Sequence, residues 1–477
     1  MAAPWRVYNG PTLVMLSDAD ETLARRRIEN LEHFRTAMIA YMGEASATRL
    51  PTRLLYFGNH QEFGRHEADI LGKKSEFDGF YYADRFQNLI AADAEEDVTN
   101  LGQVLRHEFV HLLCRAQQNT WPFWLREGIA ECLSTAAMGT NEVVLGIPPK
   151  GSLNAVNYLT RPPLRELITA SDESIRALSG ERLQAYYGES WLLTHLLVFN
   201  AKRENAGKAD QFLKLITDGA STTNALKRAC GWSPMNLASE VARYQSRGRF
   251  KLVKLQLTNA APVAIAVRPA SPGEFNHWLG HWLLAGNKTN EAAVQFRLSE
   301  KAEPGSALSE FGLGLSEQRM GRFNLSVDHL RTARAKDPRN YEILFHLAWS
   351  LALDSERLLL GPVVPAHNPS EEICDLLLEC LLLRPDFVPA YDLLGRVEHA
   401  RGHLQKATDA LVKAITLATF EDSTRLELAR VLRDGKRRDL ARVQFQLVAS
   451  NPRNKLAAKE AAADLARMDS KPEPAPK

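Results

Sequence analysis

Hydrophobic positions in the first hundred residues alternate between strand-like and helix-like spacings. Short apolar runs with the period of β-strands lie at 5–8, 12–16, 53–57, 77–82 and 88–92. From Glu21 to Met42, apolar residues recur every three to five positions, which predicts an amphipathic helix that is capped by Ser17 and Asp18 and ends at Gly43. The spacing from residue 98 to about residue 200 is mainly helical. A small sheet followed by helices predicts an α+β domain.

The second half of the chain, after a Pro- and Ala-rich stretch at 259–273, carries a repeat of about 34 residues. Each copy has a Leu-Gly or Leu-Ala pair followed by small and large apolar residues at fixed offsets. These pairs begin at Leu279, Leu313, Leu347, Leu394 and Leu428. This is the period of tetratricopeptide helix pairs, in which the small residues let two helices cross closely.

The repeats divide the chain into predicted domains. Three copies match well, the copy at Leu347 is displaced by a Pro-containing insert at 358–370, and the copy at Leu428 is weaker. We predict a first domain at 1–260, an all-α tetratricopeptide-repeat solenoid at 271–467, and a disordered, Pro-rich tail at 468–477.

Composition narrows the class of protein. A chain of 477 residues with 45% hydrophobic and 24% charged residues suits a folded protein of two or three domains. The formal net charge of +2 gives no reason to expect nucleic acid or an anionic membrane as a partner. Five scattered cysteines without a C-x-x-C pair predict reduced thiols.

The chain shows no targeting or membrane-spanning segment. No apolar run reaches the roughly 18 residues that suggest a membrane span. The N-terminus lacks the pattern of a signal peptide, which predicts a cytoplasmic protein as the sequence stands. An exported form stays open, because Ala2-Ala3-Pro4 is compatible with the stub of a removed signal.

The sharpest chemical signal is His107-Glu108-Phe109-Val110-His111, an H-E-x-x-H sequence. On a helix over 104–113 the two histidines lie four residues apart and project from one face. They can therefore place two nitrogen ligands on a single zinc ion, with Glu108 as general base on the metal-bound water. The same five residues also fit an ordinary amphipathic helix with two polar residues at its buried edge.

A second segment offers a third ligand. Glu127 and Glu131 lie in Trp124-Leu-Arg-Glu-Gly-Ile-Ala-Glu, one helical turn apart on one face. Glu127 can complete the coordination, which leaves Glu131 to accept the second ring N–H of a zinc-bound histidine. Gly128 leaves room for the two helices, the one with the histidines and the one with the glutamates, to approach each other closely. The alternative, a solvated pair of glutamates, conflicts with the apolar residues around them.

These two segments resemble the gluzincin metallopeptidases, specifically the bacterial peptidase MA-like proteins. The resemblance spans roughly residues 5–200 and includes Gly79-Phe80-Tyr81 and Tyr187-Gly188-Glu189-Ser190-Trp191. It implies a gluzincin-like fold for the first domain and one Zn²⁺ per chain, bound by His107, His111 and Glu127. It also implies a downstream donor for the developing oxyanion, for which Tyr187 is the first candidate and Tyr186 and His195 are the alternatives.

The predicted function is zinc-dependent hydrolysis of peptide bonds, with zinc-bound water activated by Glu108 and the repeats recruiting a substrate or partner protein. The alternative is a catalytically silent peptidase-like domain on a repeat-based interaction scaffold. The strand at 88–92 is a candidate edge for an extended peptide, and its sequence fits ordinary sheet structure equally well. His277 and His281 have ligand spacing but no nearby third ligand, so we expect them to be surface or core histidines of a repeat. Deletion of 271–477 is expected to leave cleavage of small peptides intact.

Overall fold

The structure is a computed structural model that describes residues 4–43, 49–71, 78–99, 102–115, 121–139, 141–199, 207–257, 263–354, 371–418, 422–450 and 454–470. The strands are β1 (Arg6–Asn9), β2 (Leu13–Ser17), β3 (Thr52–Phe57), β4 (Gly79–Ala83), β5 (Asn88–Asp93), β6 (Ala137–Met138), β7 (Glu142–Leu145), β8 (Val253–Gln256) and β9 (Ala266–Pro269).

Helices of the first part are α1 (Glu21–Met42), α2 (His60–Leu71), α3 (Ala94–Thr99), α4 (Gln103–Leu113), α5 (Phe123–Ser134), α6 (Lys150–Tyr158), α7 (Leu164–Thr169), α8 (Asp172–Arg176), α9 (Gly180–Thr194), α10 (Lys208–Thr217), α11 (Thr222–Cys230) and α12 (Pro234–Arg247). A π-helical turn, His195–Phe199, continues α9. The repeat helices are α13 (Glu274–Ala285), α14 (Thr289–Ala302), α15 (Ala307–Arg319), α16 (Phe323–Lys336), α17 (Tyr341–Asp354), α18 (Glu371–Leu383), α19 (Val388–Ala400), α20 (Leu404–Leu417), α21 (Asp422–Asp434), α22 (Arg438–Ala449) and α23 (Lys455–Ser470).

Among the described residues, the main sheet has six strands in the order β4-β5-β3-β2-β1-β9. The β2–β3 and β3–β5 pairs are parallel, and the others are antiparallel. The predicted strands and the long helix all form. Of the two interpretations of 88–92, ordinary sheet structure is right and an edge is wrong, because β5 lies between β3 and β4. At this end of the sheet the edge is β4, and at the other end it is β9.

The N-terminal cap of α1 also differs from the prediction. Ser17 still belongs to β2, and the Asp18 carboxylate accepts a hydrogen bond from the N–H of Gly58 at 2.7 Å. The cap is Asp20, whose Oδ1 accepts from the N–H of Leu23 at 3.0 Å. Gly43 ends the helix as predicted, at a φ of +90° that favours glycine.

The sheet is apolar on both faces. Leu54 and Tyr56 of β3 belong to a core that includes residues of α1, α4, α5 and α9. Leu55 and Phe57, which alternate with them, belong to a second core formed with the repeat helices. The repeats therefore cover one face of the sheet, and α4, the helix that carries His107 and His111, packs on the other.

Within the described residues, α13–α22 form five successive helix pairs, and α23 packs on α22. The predicted solenoid of tetratricopeptide type is confirmed. At Gly314 an added Cβ would lie 2.7 Å from Leu330 Cγ, which explains the small residue where two helices of a pair cross. The insert at 358–370 lies outside the described residues.

The C-terminal boundary needs one correction. Residues 468–470 belong to α23 and Met468 is buried, so the predicted disordered tail was wrong for these three positions. The apolar face of α23 continues through Met468 because it covers the last helix pair. Residues 471–477 lie outside the described part of the chain.

The stretch at 259–273 contributes more than a connection. Its strand β9 pairs with β1, and Trp5 stacks on Phe275 of α13 with ring centroids 4.4 Å apart. The limits of the two domains remain predictions, but the two regions share one hydrophobic core. Among the described helices, none combines the length and the hydropathy that crossing a bilayer needs.

Candidate metal centre

The predicted ligands lie on two neighbouring helices. His107 and His111 project from α4, which packs against β4 and β5 on one side and against α5 on the other. Leu105, Phe109 and Leu112 fix α4 in the core, so the histidine face is turned toward α5. Glu127 comes from the first half of α5 and is 8% exposed. Burial of most apolar positions of both helices thus brings the polar positions together.

The three side chains converge on a common point. The Nε2 atoms of His107 and His111 are 3.1 Å apart, and a Glu127 Oε2 atom lies 3.3 Å from the first and 3.4 Å from the second. In a tetrahedral zinc site with bonds of about 2.0–2.1 Å, ligand atoms are about 3.3 Å apart. Two imidazoles and one carboxylate are also ligands that zinc accepts. The residues present therefore fit the predicted metal.

Glu131 lies where the sequence predicted. One carboxylate oxygen is 3.3 Å from His107 Nδ1, the nitrogen that faces away from Glu127. The other oxygen accepts a hydrogen bond of 2.6 Å from Ser152 Oγ of α6. This contact holds His107 with its Nε2 directed at the other two ligands. Ser152 was not found from the sequence, because α6 carries no motif and a lone buried serine gives no signal.

Glu108 faces the edge strand. Its carboxylate accepts a hydrogen bond from the backbone N–H of Tyr81 in β4, and burial raises the pKa of this carboxyl group. A Cβ added to Gly79 would lie 2.8 Å from Val104 Cγ1 and 3.4 Å from Glu108 Cγ, so glycine at this position lets β4 approach α4. The predicted general base thus lies between the histidine pair and the strand edge.

Gly128 sets the separation of α5 and α9. A Cβ at this position would overlap Thr194 Oγ1 and the carbonyl oxygen of Ser190, both on α9. The close crossing brings α9 beside the ligand-bearing face of α5. The close approach at Gly128 was predicted between the two helices that carry the candidate ligands, and that partner was wrong, because the helix that crosses α5 at Gly128 is α9.

The three candidates for an oxyanion donor lie in different surroundings. The Tyr187 ring centroid is 6.4 Å from that of His107, and its hydroxyl hydrogen-bonds to Glu127. Tyr186 donates instead to Glu166 at 2.6 Å. His195 is buried between the Tyr244 hydroxyl and the Gly146 carbonyl, each at 2.8 Å. Only Tyr187 among the three lies at the site, which leaves the other two as core residues.

Charge at the site is dominated by carboxylates. Burial by itself lowers the pKa of His107, but its hydrogen bonds with Glu127 and Glu131 outweigh burial and hold the pKa well above its ordinary value. Burial opposes ionisation of Glu127, yet the two histidines hold its pKa below its usual range. Three carboxylates therefore surround two imidazoles, an arrangement that a divalent cation stabilises.

The second histidine pair has a different environment. His277 and His281 of α13 also have Nε2 atoms 3.1 Å apart, but both rings are buried among apolar side chains and Phe296 and Phe311. Burial lowers the pKa of His277 to about 3. Among the described residues, the group His107, His111 and Glu127 is the one with metal-binding geometry. Of the two alternatives for His277 and His281, surface or core of a repeat, the structure shows the core.

Comparisons with known proteins find similarity only to solved structures. No protein-family profile and no curated protein matches the chain. PilF of Pseudomonas aeruginosa is 22% identical, with a match that covers 42% of this chain and 85% of PilF at a TM-score of 0.35.

Two further solved structures match with similar identity, coverage and TM-score. A thermophilic TPR protein of Thermus thermophilus is 19% identical, and the match covers 41% of this chain and 99% of that protein at a TM-score of 0.33. YrrB, a TPR protein with an unusual peptide-binding site, is 12% identical with a TM-score of 0.32, over 39% of this chain and 90% of YrrB. At these TM-scores the assignment of the repeats rests on their own helix pairs and spacing.

Proposed function

We propose that this protein is a zinc-dependent peptidase of gluzincin type. The observation that carries the proposal is the convergence of His107, His111 and Glu127, whose ligand atoms are 3.1–3.4 Å apart. A carboxylate that can act as base, Glu108, and a carboxylate that orients His107, Glu131, lie beside them. An ordinary amphipathic helix requires none of these contacts.

Each side chain has a role in this proposal. A zinc ion held by His107, His111 and Glu127 would polarise a peptide carbonyl and lower the pKa of a bound water. Glu108 takes a proton from the attacking water and passes it to the leaving amine. Tyr187 donates a hydrogen bond where negative charge develops on the carbonyl oxygen. The outer edge of β4 can pair with an extended peptide beside Glu108, because β4 has a strand neighbour on one side only.

The first test is the metal content of the purified chain by mass spectrometry. We expect about one zinc per chain, lost in His111→Ala. His281→Ala is the matched control, because it breaks a histidine pair of equal spacing that lacks the carboxylate. Zinc retained in His111→Ala, or absent from the wild-type protein after zinc is added, would refute the ligand assignment.

The repeats support a second role, in protein interaction. Arrays of helix pairs present extended surfaces that bind other proteins, and α13–α22 form such an array. In this alternative the first domain is silent and the repeats alone carry the function. Zinc content, peptide cleavage and partner binding, measured on the same chain, distinguish the two roles. A chain that binds zinc and cleaves peptides from a library is a peptidase. A metal-free chain that binds a partner through 274–470 is a scaffold.

A further inference from the structure

The β4–β5 hairpin connects the zinc site to the repeats. At one end, Tyr81 of β4 hydrogen-bonds to Glu108, and Gly79 lies against α4. At the other end, residues 84–87 form a turn in which the Asp84 carboxylate accepts from the N–H groups of Phe86 and Gln87, at 2.7 and 3.0 Å. The turn is thus rigid by its own hydrogen bonds.

The tip of the hairpin is inserted among the first helices of the repeat pairs. The Phe86 ring lies with its centroid 5.2 Å from Phe345, 5.1 Å from His346 and 5.2 Å from Trp349, all on α17. Each arrangement is edge-to-face or close to it, which is a favourable geometry for aromatic pairs. Phe86 is therefore held by a pocket of aromatic rings that belongs entirely to the repeats.

Arg85 extends the same contact to the next repeat. Its guanidinium lies 4.9 Å from the Trp349 ring centroid and donates to Asp392 of α19 at 2.7 Å. Asp392 is buried and also accepts from Arg396 at 3.0 Å and from Thr424 at 2.8 Å. Two adjacent repeats thus bind two adjacent residues of the hairpin.

The turn end of the hairpin is also fixed to the segment that follows the helix with the histidines. Arg115, two residues after the end of α4, donates to Asn88 Oδ1 at 3.0 Å and to the Asp84 carbonyl at 2.5 Å. The Tyr81 hydroxyl donates to the same Asn88 oxygen at 3.0 Å. A continuous set of contacts therefore runs from α17 and α19 through the hairpin to Glu108.

We infer that the repeats position the edge strand of the peptidase site through Phe86 and Arg85. These two residues are positioning residues. They hold β4 beside Glu108, so that a substrate strand that pairs with the free edge of β4 would lie next to this carboxylate. The inference rests on the proposed function in that the edge serves a peptidase. In consequence the chain's own hairpin covers Trp349 of α17 and Asp392 of α19. A partner protein therefore has to bind elsewhere on the array.

The test is hydrogen–deuterium exchange of Phe86→Ala, read in peptides that cover 79–83 and 103–113. We expect exchange in 79–83 to rise about ten-fold or more, because the edge strand loses its support. Exchange in 103–113 should change far less, since α4 is held by its own core. Phe86→Leu should restore most of the protection.

Trp5→Ala is the matched control. Trp5 directly precedes β1, away from the β4 edge of the sheet, and packs on Phe57 and Phe275. Its replacement removes a contact between the sheet and the repeats that does not involve the hairpin. It should leave 79–83 protected. Equal exchange in both variants, or no change in Phe86→Ala, would overturn the inference. Arg85→Ala, at a side chain that is 48% exposed, gives the same test if Phe86→Ala does not fold.

A cobalt spectrum separates this inference from the proposed function. Cobalt(II) bound to the histidine site should give the same visible absorption in wild type and Phe86→Ala, because the ligands do not move. A chain that binds no cobalt contradicts the peptidase proposal, while the exchange result stands by itself. A changed spectrum in Phe86→Ala would show that the variant disturbs the ligands, and would overturn the assignment of Phe86 to the strand alone.

Discussion

Glu108 lies on α4 and Glu131 lies on α5, and different surroundings suit the two carboxylates to different roles. Glu108 faces a strand edge and has the Tyr81 N–H as a donor. Glu131 is held between His107 and Ser152, with contacts of 3.3 and 2.6 Å to its two oxygens. A carboxylate committed on both oxygens orients a neighbour, whereas one beside an open strand edge can exchange a proton with a substrate.

Glu108→Gln tests the first role. We expect zinc content to be unchanged, because Glu108 is not among the converging ligands, and peptide hydrolysis to fall at least about 10²–10⁴-fold, because the proton acceptor is lost. Hydrolysis of a peptide found by library screening is the measurement. Glu181→Gln, an exposed glutamate on α9, is the control. Hydrolysis at the wild-type rate would remove Glu108 from the mechanism.

Ser152→Ala tests the second role. Without the hydroxyl, Glu131 loses the donor on one oxygen and holds His107 less firmly. We expect the zinc dissociation constant to rise about ten-fold, at the lower end of the effect of such outer contacts, measured by competition with a chelator. Asn154→Ala, which removes an exposed polar group from the same helix, should leave the affinity unchanged. An unaltered affinity in Ser152→Ala would contradict the role of this serine.

At the scale of elements, buried ion pairs connect the last repeats. His399 near the end of α19 has Nδ1 2.6 Å from Glu427 and Nε2 3.1 Å from Asp434, both on α21. Burial lowers the pKa of His399, but the two carboxylates outweigh burial and raise it to about 9. The ring is therefore protonated at neutral pH and attaches one repeat to the next.

This attachment should depend on pH. The folded-state pKa of about 9 exceeds the ordinary value of 6.5, so the folded protein binds a proton more tightly than the unfolded chain. The stabilisation is complete below pH 6.5, declines as pH rises, and is lost above pH 9. We expect His399→Gln to lower the free energy of unfolding by about 1–3 kcal/mol at pH 6 and by far less at pH 10.

Thermal melting at several pH values measures this difference. His329→Gln is the control, since it breaks a pair with Glu310 in which the histidine side chain is 34% exposed. A difference between wild type and His399→Gln that stays constant from pH 6 to pH 10 would contradict the raised pKa.

At the scale of the whole molecule, the two regions are not independent. The repeats cover an apolar face of the sheet that includes Leu16, Leu55, Phe57 and Leu89, and Arg53 of β3 pairs with Glu342 of α17 at 2.5 Å. Each such side chain contributes about 1.5–3 kcal/mol when buried. A first domain without repeats would expose this face to water.

Deletion of 271–477 should therefore destabilise the first domain. The expectation from the sequence was that small-peptide cleavage survives this deletion. The shared core leads us to expect an aggregating or partly unfolded protein, with strong binding of a hydrophobic dye and a lost cooperative melt. A soluble 1–270 fragment with the melting temperature and zinc content of the full chain would show that the two regions fold separately.

Much of the candidate site was predictable because its signals are local. The spacing of His107 and His111, and of Glu127 and Glu131, follows from helical geometry alone, and the apolar residues around them predict the helices. Ser152 and the contact of Tyr81 with Glu108 were not predictable, because they join segments that are distant along the chain. Tyr187 was the first candidate for the oxyanion donor, with Tyr186 and His195 as alternatives, and packing places only Tyr187 of the three beside Glu127.

The sequence by itself determined the elements and the repeat period, since periodicity and turn residues act within a few residues of the chain. Tertiary structure decided which strand is the edge, which face of the sheet the repeats cover and where the hairpin tip inserts. The strand at 88–92 shows why. Its side chains are apolar on both faces, so its local sequence fits a central strand and a covered edge strand equally well. Only the competition of all apolar faces for burial assigns it a place between β3 and β4.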